Sequence, residues 1–281
     1  MPVNVVKKGW KYIIIYILAV IGSVFAVFPF YWMIKTAFTP NNLMYQINPS
    51  ILPIKLTLEH FQQLLIKTSF MTFFINSIYV SCITTVITMV ISILGSYALS
   101  RLKFRLRGFF HRSIILSYLL PSAVLFIPMY ILVSGMGLAN NKNALLLIYP
   151  TFTVPYACYM LVSYFKSIPY SLEEAALIDG CNRLQTLRKI VIPIAAPGIA
   201  VVATFAFTLS WSEFIYALVA TTSPDQQTVT SGISSFQYAD TYIWGLIMSA
   251  SVLASIPPLL LYLLTQKFMI GGLTAGGVKD M

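Results

Sequence analysis

Long apolar runs constrain this chain more than any other feature of its sequence. The six runs lie at about 12–37, 72–99, 113–135, 144–166, 195–222 and 244–267. Each holds the ~20 residues that a helix needs to cross a bilayer, and lipid offers the backbone no hydrogen-bond partner outside a helix. The sequence therefore predicts an all-α integral membrane protein in which residues 1–281 form one transmembrane domain with six helices.

The charged residues indicate the orientation of these helices and exclude one class of partner. Only 9% of the residues are charged, and the net charge is +10. The basic residues lie between the apolar runs rather than in one patch, so no nucleic-acid binding is expected. With both termini on one side, that side holds fourteen of the 18 Lys and Arg residues, which predicts cytoplasmic termini. The densest cluster, residues 101–107, is interpreted as a loop that fixes the orientation.

The sequence lacks catalytic motifs and metal-ligand spacings. It contains neither a phosphate-binding loop of the GxxxxGK[ST] type nor a CxxC pair. His60 and His111 are isolated and are interpreted as solvated loop residues. The chain is therefore expected not to be an enzyme and to hold no metal and no cofactor of its own.

The loop between spans four and five is the one long cytoplasmic loop, and it begins with a predicted helix. Pro169 ends span four, and Ser171 and Glu174 have the spacing of a capping box that starts a helix. Gly180 is a typical residue at the end of a helix. The predicted apolar face consists of Leu172, Ala175 and Ala176.

A second short helix is predicted directly after the first. Asn182 and Gln185 repeat the capping spacing, and Pro193 closes the helix before span five. Its apolar side is predicted to consist of Leu184, Leu187 and Val191.

The first of these helices combines acids with small residues. Small side chains let a helix lie close in a groove, and three acids are available for basic residues of a partner: Glu173, Glu174 and Asp179. The alternative is an amphipathic helix on the membrane surface. Such helices usually have basic polar faces, so a protein partner is favoured.

The spacing in this loop resembles the EAA motif of ABC importer permeases. Glu174-Ala175-Ala176 is followed after three residues by Gly180 and after nine more by Ile190, with Ile192-Pro193 at the end. The resemblance implies that residues 169–193 form a coupling helix that inserts into a cleft of an ATP-hydrolysing subunit. The implied coupling residues are Glu173, Glu174, Ala175, Ala176, Asp179, Gly180, Ile190 and Pro193.

Other segments are similar to the carbohydrate-uptake subfamily, on the side of the smaller maltose-type permease subunit. They are NSIYVS at 76–81, SYALSRLKF at 96–104, WSEFIYAL at 211–218 and GLTAGGVK at 272–279. The resemblance implies a type I ABC importer fold in the cell (inner) membrane of a bacterium or archaeon. It also implies a second permease in a hetero-dimer, an extracytoplasmic solute-binding protein, and two ATP-binding subunits that hold ATP and Mg. The resemblance further implies that the tail reaches between the ATPase subunits, here through Gly276, Gly277, Val278 and Lys279.

A candidate translocation path comprises Trp211, Ser212, Glu213, Tyr216 and Asn76. Glu213 is the one acid inside a span, and an ionisable group there is a functional candidate. Three alternatives are open: Glu213 faces the path with Trp211 and Tyr216, holds a neighbouring helix by hydrogen bonds, or is solvated near the outer surface. The family more often has Asn where this chain has Ser212. Asn76 is interpreted as a contact between helices.

The substrate expected from these features is a sugar or oligosaccharide, imported by alternating access. A glycerol-phosphate-like substrate would favour Arg in the path, and no span contains one. A polyamine would favour several acids. A stand-alone secondary transporter would need more intramembrane charges than Glu213 supplies.

Overall fold

The long apolar runs form long helices in the computed structural model, which describes residues 4–46, 48–119, 122–238 and 241–277. The helices are α1 (Asn4–Ala37), α2 (Asn41–Met44), α3 (Glu59–Lys67), α4 (Phe70–Arg101), α5 (Arg107–Leu119), α6 (Ser122–Gly135), α7 (Asn143–Ile148), α8 (Pro150–Ser167), α9 (Tyr170–Ile178), α10 (Arg183–Thr186), α11 (Ile192–Ser212), α12 (Ile215–Ala220), α13 (Val229–Ser234) and α14 (Trp244–Gly277). A π-helical turn, Leu187–Val191, joins α10 to α11. Two antiparallel strands of two residues each, β1 (Gln237–Tyr238) and β2 (Thr241–Tyr242), complete the described elements.

The predicted spans agree with these helices except at two places. Five helices in the described ranges are long and apolar enough to cross a bilayer. The predicted third span, 113–135, is instead two helices bent by 106° relative to one another, which make a sixth crossing if they count as one. The sequence between these two helices contains Pro121, a residue type that cannot continue the hydrogen-bonding of a helix. The predicted fifth span also divides, because α11 ends at Ser212 and α12 begins at Ile215.

The chain divides into two compact units. The first unit contains residues 1–68 and 236–254, and the second contains residues 69–235 and 255–281. In the first unit, every side chain of α1 from Tyr12 to Phe30 is exposed, which suits a surface that faces lipid. The prediction for His60 was wrong: this side chain is buried, its Nε2 lies 2.9 Å from the Thr39 carbonyl oxygen, and a Cβ at Gly245 would overlap its ring.

The second unit is built around contacts of α4 with α8 and α11. One face of α4 is a stripe of small buried hydroxyl residues, namely Ser77, Ser81, Thr84, Thr88, Ser92 and Ser96. Thr88 Oγ1 lies 2.6 Å from Thr153 Oγ1, and Ser96 Oγ donates to the Cys158 carbonyl oxygen at 3.2 Å. Small polar side chains let membrane helices approach closely and hydrogen-bond across the interface. This packing fixes the two ends of α4, where the candidate functional residues lie.

Candidate functional site

The loop after α8 forms the two helices that its sequence predicts, but the first begins differently. The residue that precedes α9 is Pro169, and no side chain caps the helix, so the predicted capping box of Ser171 and Glu174 does not form. Pro169 has an extended backbone (ψ 129°) and takes the capping position two residues before Ser171. Gly180 ends α9 as predicted, with φ of 86°, a conformation that glycine adopts without a steric penalty.

The capping box of the second helix is confirmed. Asn182 Oδ1 accepts from the Gln185 N–H at 2.9 Å, and Gln185 Oε1 accepts from the Asn182 N–H at 2.8 Å. The helix then widens into the π-helical turn before α11. Leu187 and Val191 are buried as predicted, whereas Leu184 is 65% exposed.

The buried face of α9 is rotated by one residue from the predicted face. Glu173 and Ala176 are buried, while Leu172 and Ala175 are exposed. Glu173 Oε1 lies 2.5 Å from Arg101 Nε, and its Oε2 accepts from the Tyr97 hydroxyl at 3.2 Å. The expectation that Glu173 pairs with a partner subunit therefore does not hold, because its buried carboxylate already binds Arg101 and Tyr97 of the same chain.

Arg101 is a residue that the sequence interpretation missed. The sequence predicts that Arg101 belongs to an orientation-fixing loop, but its side chain is 8% exposed and lies at the end of α4. Its Nη2 donates to the carbonyl oxygens of Phe165 at 2.5 Å and Ile168 at 2.7 Å, where α8 ends. Arg101 thus joins the ends of α4 and α8 to the start of α9. Its position directly after a span gave no signal of this pairing.

The outward face of α9 and α10 combines apolar and acidic side chains. Ile178 is 85% exposed, and Leu184, Glu174 and Asp179 are exposed beside it in sequence. We call Glu174, Ile178, Asp179 and Leu184 the docking face. Of the other predicted coupling residues, Ala175, Gly180 and Pro193 are exposed, Ile190 is half-buried and Ala176 is buried.

Glu213 lies in the break between α11 and α12. Its carboxylate accepts from the Tyr149 hydroxyl at 3.1 Å and from the backbone N–H groups of Tyr216 at 3.0 Å and Ala217 at 3.1 Å. The Glu213 carbonyl oxygen accepts from the Thr230 hydroxyl at 2.6 Å. These contacts are those of the second alternative, in which Glu213 holds neighbouring helices. A carboxylate at the start of a helix also satisfies N–H groups that have no partner within that helix.

The other candidate path residues of this region are engaged within the second unit. Trp211 is buried, stacks on Phe207 with ring centroids 5.6 Å apart, and meets Phe74 edge-on at 5.6 Å. Tyr216 is buried and stacks on Phe152. The Ser212 hydroxyl is exposed and donates to the Thr208 carbonyl oxygen of its own helix at 2.8 Å. The structure therefore brings Trp211, Glu213 and Tyr216 to one helix break.

Asn76 ties α4 to the segment before α13. Its Nδ2 donates to the carbonyl oxygens of Asp225 and Gln227, both at 2.9 Å. Its Oδ1 accepts from Lys142 Nζ at 2.7 Å, and Asn76 itself is 2% exposed. Both polar atoms of the Asn76 side chain are therefore hydrogen-bonded, and Nδ2 holds the segment before α13.

Replacing Asn76 with leucine is expected to release residues 222–229. The loss of three hydrogen bonds, one of them to a charged amine, removes about 2–4 kcal/mol of local stability. Amide hydrogen exchange in nanodiscs, followed by mass spectrometry, measures this as at least a tenfold faster exchange in that segment. Ser212→Ala is the control, because its hydroxyl bonds only within α11. Unchanged exchange in Asn76→Leu would contradict the assignment.

Two of the predicted tail residues, Gly276 and Gly277, belong to the backbone of α14. Val278 and Lys279 lie outside the described residues.

Comparison with known proteins agrees with this architecture. Residues 87–270 match the family model described as the inner membrane component of binding-protein-dependent transport systems. The diacetylchitobiose uptake system permease protein of Streptomyces coelicolor is 35% identical over 261 residues, which cover 93% of this chain and 95% of the relative. The trehalose/maltose transport system permease protein of Thermococcus litoralis is 34% identical over 272 residues, covering 96% and 97%.

A solved structure has the same fold. It is a chain of a bacterial ABC transporter involved in the import of the acidic polysaccharide alginate, with a TM-score of 0.81 and 22% identity, and the match covers 95% of this chain and 99% of that one. The predicted fold class, that of a type I ABC importer permease, is confirmed. With well over half of its length matched by the family model, this chain belongs to the family of binding-protein-dependent transport system inner membrane components.

Proposed function

We propose that this chain is the permease through which a saccharide enters the cell, driven by a separate ATPase subunit that binds the docking face. The family match supports the permease role. The observation that carries the docking part is the contrast between the two neighbouring acids of α9. Glu173 is buried in an ion pair with Arg101, whereas Glu174 is exposed.

The docking face has the composition of a protein-binding surface. Ile178 and Leu184 are 85% and 65% exposed, and burying such a side chain yields about 1.5–3 kcal/mol. Glu174 and Asp179 would pair with basic residues of the partner. A helix that rested on the membrane instead would bring these acids against the negative cytoplasmic lipid surface, which is unfavourable. The ion pair of Arg101 with Glu173 holds the buried side of α9 in place, so the docking face has a fixed orientation.

The proposed assembly follows from the family. A second permease forms a hetero-dimer with this chain, two ATP-binding subunits hold ATP and Mg, and an extracytoplasmic solute-binding protein delivers the substrate. Both termini and α9 lie in the cytoplasm. ATP binding closes the ATPase subunits, the docking face moves with them, and the helices switch between inward-open and outward-open states.

The proposed substrate class rests on the relatives. Two of them are named for the uptake of diacetylchitobiose and of trehalose or maltose, and the solved transporter is described as an importer of alginate. All of these are saccharides. We therefore assign a saccharide to this chain.

Reconstitution tests the function directly. Proteoliposomes contain this chain, its second permease, the ATPase subunits and the binding protein loaded with a candidate saccharide. We expect ATP-dependent uptake and ATP hydrolysis stimulated by the loaded binding protein. An ATPase subunit without its phosphate-binding lysine serves as the control and should give neither signal. Solute movement by this chain alone, without any ATPase subunit, would instead indicate a secondary transporter.

A further inference from the structure

Two basic residues beside the turn from α4 to α5 hold the second unit together. Arg101 forms the buried ion pair with Glu173. Arg107 donates from Nε to the Leu99 carbonyl oxygen at 2.8 Å and from Nη2 to the Ser100 carbonyl oxygen at 3.3 Å, where α4 ends. A cation there satisfies carbonyl groups that have no partner within the helix. Both of these charges therefore have roles inside the chain.

Three further cations of this turn lie at its surface. Lys103, Arg105 and Arg112 are all exposed. The sequence from position 101 to position 112 contains no acidic residue, so the turn itself is strongly positive. Exposed cations that are clustered in this way attract anions. We call residues 102–112 the basic turn.

Large apolar side chains share the surface of the basic turn with these cations. Phe109 and Leu106 are 65% and 56% exposed, and Phe104 and Phe110 are exposed as well. The ring centroids of Phe104 and Phe110 lie 6.3 Å apart, and Phe109 meets Phe110 edge-on at 5.8 Å, so the three rings form one cluster. Apolar side chains interleaved with cations are typical of protein surfaces that insert into the headgroup region of a membrane.

The position of the basic turn in the chain keeps it at the membrane surface. It connects α4, which is long and apolar enough to cross a bilayer, to α5, the first helix of the bent pair. Only residues 102–106 separate the two helices, so this segment cannot move far from the lipid. Long basic side chains at such a place extend to the headgroups, while neighbouring apolar side chains contact the acyl chains.

We propose that the basic turn binds an anionic phospholipid, with the phosphate at Lys103, Arg105 and Arg112 and the acyl chains against the phenylalanines. The site rests on the proposed function, which places this turn on the cytoplasmic side. Clusters of Lys and Arg directly after a transmembrane helix bind anionic lipids there. A zwitterionic headgroup would bring its own cation against the three cations of the turn. The docking face is acidic, so the two surfaces select different partners.

A lipid titration followed by native mass spectrometry tests this proposal. The full chain is delipidated in a non-ionic detergent, and dioleoyl-phosphatidylglycerol or dioleoyl-phosphatidylcholine is added. These lipids have the same acyl chains and differ only in the headgroup. We expect the wild-type chain to bind phosphatidylglycerol at least about tenfold more tightly, because each cation near an anionic lipid contributes about fivefold. The triple variant Lys103→Gln/Arg105→Gln/Arg112→Gln should reduce this preference to less than about twofold.

The matched control is Lys166→Gln/Arg188→Gln/Lys189→Gln, which removes three other exposed cations of the second unit and should leave the preference unchanged. An equal loss in both triple variants would overturn the proposal, because total charge rather than the basic turn would then attract the lipid. Equal binding of the two lipids by the wild type would overturn it even if a variant failed to fold, and is the result expected if the turn bound an ATPase subunit instead. Since neither an ATPase nor a saccharide takes part, failed transport in the reconstituted assembly leaves this result readable.

Discussion

Replacing Glu174 with lysine is expected to abolish ATP-driven transport while the permease still folds. Glu174 is exposed and makes no hydrogen bond or ion pair with another described residue, so its loss should change the stability of the chain by less than about 0.5 kcal/mol. At the proposed interface, the new positive charge would face the basic residues of the ATPase subunit. Like charges brought together in an interface cost several kcal/mol, which weakens assembly at least a hundredfold.

The measurements for Glu174→Lys are co-purification with the ATPase subunit and saccharide uptake in proteoliposomes. Both should fall to background while the thermal unfolding temperature of the isolated permease stays constant. Glu59→Lys is the matched control, because it reverses an exposed acid of the first unit and should transport normally. Normal uptake by Glu174→Lys would refute the docking role.

Replacing Glu173 with alanine is expected to destabilise the permease itself. Removing one partner of a buried ion pair leaves the other charge desolvated, which costs about 3–5 kcal/mol. Here the orphaned group would be Arg101, which is 8% exposed and 2.5 Å from the Glu173 carboxylate. Arg101→Ala should cost more than Glu173→Ala, because it also removes the two hydrogen bonds to the end of α8.

Equilibrium unfolding in mixed detergent micelles measures these costs. The double variant Arg101→Met/Glu173→Leu should be more stable than either alanine variant, because apolar residues of similar volume leave no buried charge. Glu174→Ala provides the neighbouring exposed control and should cost less than about 0.5 kcal/mol. Single variants that each cost under 1 kcal/mol would show that the pair lies in a wetter environment than its burial indicates.

Local sequence patterns predicted the structure correctly where that structure depends on contacts between residues close in sequence. The capping box of Asn182 and Gln185 closes within four residues, so its spacing alone identified it. Gly180 was likewise predictable from the sequence alone. The positive φ that ends α9 favours glycine regardless of the neighbouring residues. The predicted box of Ser171 and Glu174 failed because Pro169 had already started the helix.

The candidate sites depend on partners that are distant in sequence, which the sequence pattern does not reveal. Glu173 and Glu174 are adjacent and chemically equal, and what separates them is Arg101, more than seventy residues earlier. The three alternatives for Glu213 could be separated only once Tyr149 was placed beside it.

The double attachment of α4 has a mechanical consequence. Arg101 clamps one end of this helix to α8 and α9, and Asn76 ties the other end to the segment before α13. The two residues are about 38 Å apart along the helix at 1.5 Å per residue, so a tilt of about 5° about one end displaces the other by ~3 Å. That distance equals a hydrogen-bond length. A movement of α9 that tilted α4 as a rigid body by this angle would therefore be large enough to break or remake the hydrogen bonds of Asn76.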